Sequence, residues 1–206
     1  MTMLLYHDTR APNPRRVRIF FAEKGLTQDL ELIEVSINAK ANQAPEHLAR
    51  HPLGLVPVLE LADGRILRES IAICRYVEEL HPAPSLFGAD PWQRAQIEQW
   101  NRLAELEVFW PIAQVFRNSH AFWQGRIKQS NEFADIMREQ VKARMAWLDG
   151  ELAKRRFLGG DDYSVADITL LCGLDFGKVS NIRIGDDLPH LKRWHTEVSS
   201  RPSARA

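Results

Sequence analysis

Val56-Pro57 and Glu69-Ser70 are the residues of this chain whose types and order point most directly to chemistry. Proline donates no backbone hydrogen bond, so within a sheet it is confined to strand starts, edges and bulges. Pro57, opening the run Val58-Leu59-Glu60-Leu61, leaves Val56 just outside the ladder, with its N–H and C=O available to an extended ligand. An X-Pro bond is also where a cis peptide costs little, the trans preference being only about 0.5–1 kcal/mol; the sequence leaves the isomer open. Ser70 is a favoured helix N-cap, worth roughly 1 kcal/mol to the helix. A helix start exposes unpaired N–H groups and about half a positive charge. A carboxylate docks at such a terminus, while Glu69 beside it suits an ammonium. An α-amino acid head group carries both charges, so the two runs together read as a site for a small peptide.

Those residues need elements to hold them, and the flanking sequence supplies them. Asp63-Gly64 between apolar runs is a hairpin signal. From Ile71 the apolar residues Ile73, Cys74, Val77 and Leu80 recur at helical spacing. Upstream, Met3-Leu4-Leu5-Tyr6-His7 reads as a strand and Asp8 to Pro14 as a loop. A helix through Val17, Ile19, Phe20 and Phe21 follows, stopped by Lys24-Gly25. Leu30 to Val35 is a second strand, giving a right-handed βαβ unit with parallel strands. Pro45 to Arg50 is a short helix. The order β-α-β-α-β-β-α over residues 1–80 implies a small mixed sheet with an antiparallel hairpin.

His81-Pro82-Ala83-Pro84 breaks the pattern, and residues 81–90 read as a linker. Residues 91–206 are then wholly helical. One long helix runs from Pro91 to about Ala121, kinked at Pro111. A second spans Asn131 to Arg155, a third is opened by the capping box Ser164-Val165-Ala166-Asp167, and a last one covers Leu188 to Ser200.

Composition removes several function classes. The 206 residues carry 27 basic and 27 acidic side chains, a formal net charge of zero, which argues against nucleic acid as the main partner. No run approaches the length of a membrane span, and Met1 to His7 lacks the basic region of a secretory signal. The two cysteines, Cys74 and Cys172, lie in apolar helical runs and read as buried free thiols of a reducing, cytoplasmic compartment. No His/Cys cluster has zinc-site spacing, and His47 and His51 belong to a helix end and the loop after it. No metal is expected.

A βαβαββα domain with Val-Pro before its third strand and Glu-Ser at its third helix, followed by an all-helical domain, resembles the cytosolic glutathione transferases. The resemblance covers the whole chain. Its specific parts are Pro52-Leu53-Gly54-Leu55-Val56-Pro57-Val58-Leu59, Leu67-Arg68-Glu69-Ser70-Ile71-Ala72-Ile73 and Tyr163-Ser164-Val165-Ala166-Asp167-Ile168. Arg10-Ala11-Pro12-Asn13-Pro14-Arg15-Arg16-Val17-Arg18 looks like the first-helix entrance of bacterial members. The resemblance implies an α/β thioredoxin-like N-terminal domain, an all-α C-terminal domain, a homodimer, and glutathione as co-substrate. It implies that Val56 pairs through its backbone with the cysteinyl unit beside a cis Pro57. It also implies that Glu69 and Ser70 hold the γ-glutamyl head group, and that Gln43 faces the glycine carboxylate without a charge.

The departure from the family lies at the thiol. Members activate it with a Tyr, Ser or Cys near the end of the first strand, and the Ser or Cys position falls here at Ala11. Three substitutes stand nearby: Asn13 at the helix entrance, where its amide and the helix dipole would favour a thiolate; Thr9, with a hydroxyl; and Tyr6, in the first strand. No cysteine sits at the first helix, so the sulfur must come from glutathione. A second substrate, a small electrophile or a disulfide, is expected between the domains against Phe109, Ala113, Phe116 and Arg117, which recur at helical spacing. Transfer to an electrophile, glutathione-dependent disulfide reduction, and a non-catalytic interaction module on the same fold all remain compatible with these residues.

Overall fold

The computed structural model describes residues 2–206. The chain divides into two compact units, one comprising the residues up to Leu86 with Pro202–Ala206, the other Phe87–Arg201.

In the first unit, β1 (Met3–His7) is followed by α1 (Pro12–Glu23), β2 (Leu30–Glu34), α2 (Pro45–Arg50), β3 (Val58–Glu60), β4 (Ile66–Arg68) and α3 (Ser70–Leu80). The sheet order is β2-β1-β3-β4. β2 lies parallel to β1, Leu5 opposite Leu32, and the β3–β4 hairpin is antiparallel, Leu5 opposite Leu59 and Leu59 opposite Leu67. The expected mixed sheet is therefore the observed one. Period-two alternation sorts its side chains. Leu5 and Leu59 are fully buried, as are Val17, Ile19, Phe20 and Phe21 of α1 and Ile73 and Val77 of α3. Tyr6 and Val58, one residue along, join Val35 and Val56 in a separate cluster.

The linker begins later than its prolines suggest. Buried Lys24, which ends α1, pairs with Glu78 at 2.5 Å and donates to the His81 carbonyl at 2.8 Å. It also donates to the Pro84 carbonyl at 2.5 Å, so residues 81–84 belong to the first unit. The chain's last residues return there too: Arg15 Nη2 donates to the Ala204 carbonyl at 2.9 Å, where the sequence pattern places them with the helical domain.

The second unit holds α4 (Pro91–Leu103), α5 (Trp110–Ser119), α6 (Asn131–Leu152), α7 (Val165–Gly177) and α8 (Pro189–Ser199). The expected long helix is interrupted by a π-helical turn, Ala104–Phe109, in which Trp110 N–H bonds the Glu105 carbonyl. Pro111 explains it: without an N–H, and with a ring that crowds the carbonyl four residues back, it cannot continue an α ladder. α7 is buried almost throughout. Gly173 lets it approach the π turn, since a Cβ there would lie 2.9 Å from Cβ of Phe109.

The α7 capping box forms as expected. The Asp167 carboxylate accepts from the Ser164 N–H and hydroxyl, both at 3.0 Å. It also accepts from the Leu158 N–H at 3.0 Å and the Trp194 indole at 2.8 Å. Among the described residues, no helix is long and apolar enough to cross a membrane.

Candidate functional site

The segment before β3 is tied down on both sides of Val56. Asn42 Nδ2 donates to the Gly54 carbonyl at 2.8 Å, and His47 Nε2 bonds the Leu55 carbonyl at 2.9 Å. Gly54 N–H reaches the His51 carbonyl at 2.8 Å. Gly54 has φ +60°, and a Cβ there would run into the Gln43 side chain and lie 2.8 Å from the Asn42 carbonyl, so the close approach requires glycine. The Val56–Pro57 peptide is cis, as the resemblance implies; Ala83–Pro84 is cis as well. The neighbouring carbonyls are claimed, yet Val56's own N–H and C=O have no partner among the described residues. That is a backbone edge held rigid and left open.

Glu69 and Ser70 depart in detail from the capping expectation. The cap position of α3 is Glu69, at φ +66°, and it makes no capping bond. Ser70 is the first helical residue and is buried; its Oγ accepts from Arg16 Nη1 at 3.0 Å. The cause is Arg16, a buried guanidinium on α1 that draws the hydroxyl inward. A positive φ on a non-glycine residue costs of order 1–3 kcal/mol and marks a site where the surroundings impose it. Here it leaves the Glu69 carboxylate exposed, with no hydrogen bond or ion pair among the described residues. Beside it lie the opening N–H groups of α3, with the Arg16 charge behind Ser70. The arrangement offers one full negative and one positive locus, which matches an ammonium and a carboxylate on the same small molecule. His51, buried nearby, is held below the ordinary histidine pKa by burial and then by Arg68, against the pull of Glu69. Gln43 is exposed at the end of a short 3₁₀ turn, Ala41–Gln43, next to Gly54.

The entrance of α1 has an unusual donor count. Its cap is Ala11, which has no capping side chain, and Pro12 is the first helical residue. The Ala11 N–H bonds the Asp8 carbonyl at 3.0 Å. Pro12 and Pro14 have no N–H to offer. Asn13 is thereby left as the one residue of the first turn with an unclaimed backbone N–H, and its exposed side-chain amide stands beside it. Asn13 is not the cap, so its amide is not consumed by the helix.

The other two thiol candidates are engaged. Thr9 Oγ1 donates to Glu34 Oε2 at 2.8 Å. Tyr6 OH donates to Glu60 Oε2 at 2.9 Å, beneath the Arg50 guanidinium 4.3 Å from its ring. Burial and then Glu60 raise the Tyr6 pKa above its ordinary value, the opposite of what a thiolate-stabilising phenol needs.

In the second unit, the helical spacing of the expected pocket residues does not survive the π turn intact. Phe109 is 5% exposed and packed at Gly173, so it is core rather than pocket wall. Ala113, Phe116 and Arg117 are half-buried on α5. Phe116 stands in an aromatic group with His120, Phe122 and Phe176, and Arg117 stacks on Trp123 at 4.6 Å. A cavity of about 420 Å³ lies elsewhere, at the Met3 end of the sheet beside Asp29, Leu61, Tyr76 and Leu80, and none of the candidate residues lines it. Among the described residues no His, Cys, Asp and Glu are grouped to hold a metal. Sequence reading missed Arg16, Glu34, Arg18 and His7, which support the site from α1, β2 and β1; their role depends on tertiary placement and has no local motif.

The structure is a thioredoxin-like unit with open polar groups joined to a helical unit, and comparison with known proteins gives the class a name. The Glutathione S-transferase N-terminal domain profile matches residues 11–80, and the C-terminal domain profile matches residues 105–202. Glutathione S-transferase 2 of Saccharomyces cerevisiae is 31% identical over 205 residues, covering 98% of this chain and 88% of that protein. The crystal structure of Gtt2 from the same yeast superposes with a TM-score of 0.92 at 30% identity, over 98% of both chains. A probable elongation factor 1-gamma of Arabidopsis thaliana is 30% identical over 164 residues, 79% of this chain and 38% of that protein. The chain belongs to the glutathione S-transferase family.

Proposed function

We propose that the first unit binds glutathione through Val56, Pro57, Glu69, Ser70 and Gln43. It lowers the pKa of the bound thiol at the entrance of α1 and presents the thiolate to a small electrophile. The observation that carries this reading is the pair of unclaimed groups on a rigid frame: the Val56 backbone and the Glu69 carboxylate beside the start of α3. Val56 would take the cysteinyl backbone as an added strand. Glu69 would hold the α-ammonium, and the α3 N-terminus the α-carboxylate. The sulfur would then meet Asn13, whose N–H, amide and helix dipole all favour the anion. Ala113, Phe116 and Arg117 would line the acceptor's pocket.

Calorimetric titration with glutathione tests the holding half: a saturable binding heat supports it, and none at millimolar concentration overturns it. Turnover of an aryl halide beside a small mixed disulfide divides transfer from disulfide reduction. The elongation-factor relative raises a second reading, a protein-interaction module that has given up the ligand. The exposed, unpartnered Glu69 at a strained φ speaks against it, because a chain without the ligand has no need to keep that geometry. A homodimer in the cytoplasm, as the family resemblance implies, belongs to the same proposal and is tested by sedimentation of the purified protein.

A further inference from the structure

The turn leading from β1 into α1 is held by side chains from three elements. Glu34, the last residue of β2, places Oε2 2.8 Å from Thr9 Oγ1 and 3.2 Å from Thr9 N, so hydroxyl and amide both donate to one carboxylate oxygen. From α1, Arg18 Nη2 donates to the Thr9 carbonyl at 3.2 Å, and Arg18 Nη1 lies 3.0 Å from His7 Nδ1. Arginine has only donors, so Nδ1 is the accepting nitrogen of a neutral ring whose proton sits on Nε2. His7 Nε2 lies 3.6 Å from the same Glu34 Oε2. The remaining charged neighbour, Asp8, is occupied by the N–H groups of Arg10 at 2.9 Å and Ile37 at 2.8 Å.

We propose that Glu34 is a positioning residue for the Thr9–Asn13 turn, and that neutral His7, acting through Arg18 and Glu34, keeps the turn in place. The proposal rests on the reading that this turn receives the glutathione thiol. One chemical consequence follows at once. The Thr9 hydroxyl gives its only hydrogen to Glu34, so toward a ligand it is an acceptor. It can receive a thiol S–H but cannot donate to a thiolate, and the donor's part falls to Asn13.

A second consequence concerns pH. Protonating His7 puts a hydrogen on Nδ1, facing a guanidinium N–H across 3.0 Å. That contact turns from hydrogen bond to repulsion, while the imidazolium draws Glu34 Oε2 away from Thr9. Both restraints on Thr9 loosen on one protonation. The groups that act on His7 are Arg18 from α1, Glu34 from β2 and Asp8 on its own strand. Burial and Arg18 lower its pKa, and Glu34 and Asp8 oppose them without prevailing. A depressed folded-state pKa means that the ordering contributed by neutral His7 is complete above the unfolded value of about 6.5. It is lost as pH falls from there through the folded value.

The test uses the ligand-free chain. The His7 ring is titrated by NMR, and the Thr9 amide protection factor is followed over the same pH range. Protection is expected to fall in step with His7 protonation; protection that stays flat across that titration overturns the proposal. Glu34→Gln should lower Thr9 amide protection about tenfold, the size of one charged hydrogen bond, and unchanged protection removes Glu34 from the role. In His7→Gln, which cannot titrate, the acid limb of kcat/KM, normalised to its own plateau, should move to lower pH. A limb at the parent's position overturns the part given to His7. Should either variant fail to fold, the titration of the parent chain still decides. Thr9 protection needs no glutathione, so a pH-linked turn in a chain that binds none would count against the proposed function alone.

Discussion

Among the helices that carry a carboxylate at the N-terminus, α7 and α3 use it in opposite ways. At α7, Asp167 is fully buried and accepts four hydrogen bonds from the chain around it. Burial raises its pKa, and each of those donors works against the rise. At α3, Glu69 is exposed and stands at φ +66°; its carbonyl accepts from the Ile73 N–H at 2.9 Å, but its carboxylate has no partner among the described residues. The interactions available at a helix start are the same in both places. A carboxylate saturated by its own chain holds a fold together. One left unsaturated, at a backbone angle that costs free energy to maintain, adds nothing to the fold and is open to a molecule outside the chain.

The contrast breaks most visibly at Asp167. Asp167→Ala strands the buried N–H groups of Leu158 and Ser164 and the Trp194 indole. An unsatisfied buried donor costs about 1–3 kcal/mol, so a loss of roughly 3 kcal/mol or more is expected. It is read as a lower urea midpoint with unchanged slope, while the fraction still folded keeps its glutathione affinity. A midpoint equal to the parent's would mean the network is not what secures α7.

Glu69 should behave in reverse. Glu69→Gly removes one charged hydrogen bond to the ligand's ammonium, about 1.5–3 kcal/mol, so glutathione affinity should drop about 10- to 100-fold by calorimetry. The same change places glycine where φ is +66°, and thermal unfolding should show stability rising by about 1 kcal/mol. If affinity and stability fell together, Glu69 would be a second Asp167 and the distinction between the two termini would be lost.

Much of this is legible in the sequence alone. β1, β2, α2, the hairpin and the α7 capping box follow from short-range signals: apolar alternation, Pro and Gly punctuation, Asp-Gly, Ser-x-x-Asp. Val56, Pro57, Glu69 and Ser70, proposed to hold the ligand, stand out in the sequence for the same reason, since a turn type and a helix start are local. What escaped was set by distant residues. Ser70 looked like a cap because nothing in its neighbourhood announces Arg16, which turns its hydroxyl inward. Thr9 looked available because Glu34 reaches it from another strand. Phe109 looked like a pocket residue because helical spacing was extended through Pro111, whose π turn resets the faces and sends Phe109 to Gly173.

Asn13 tests whether the turn proposed to activate the thiol belongs with Glu69 or with Asp167. Its amide is exposed and not a cap, so Asn13→Ala should leave the urea midpoint within about 0.5 kcal/mol, as for ordinary surface changes. Loss of one amide–thiolate hydrogen bond should raise the thiol pKa of bound glutathione by about one unit, read by thiolate absorbance against pH, with kcat/KM falling about tenfold at neutral pH. The backbone N–H and the helix dipole remain in that variant, which is why the loss should stop there. An unshifted thiol pKa would take the activating role away from this side chain.

The smallest effect is expected at Tyr6, and it separates a satisfied polar group from an open one inside the same unit. Its phenol donates to Glu60 under Arg50, and its pKa is raised. A raised folded-state pKa means folding favours the neutral phenol. That contribution is full below about pH 10, the unfolded value, and is lost as pH rises through the folded one. Tyr6→Phe should therefore lower stability by about 1 kcal/mol at neutral pH, the net worth of one hydrogen bond. It should also flatten the alkaline loss, so that parent and variant converge in urea midpoint above pH 10. Turnover at pH 7 should be preserved, because the hydroxyl already has its acceptor. A variant that kept its stability but lost turnover would show the phenol reaching the thiol, and the saturated hydrogen bond to Glu60 would then be a resting arrangement broken by the ligand rather than a part of the fold.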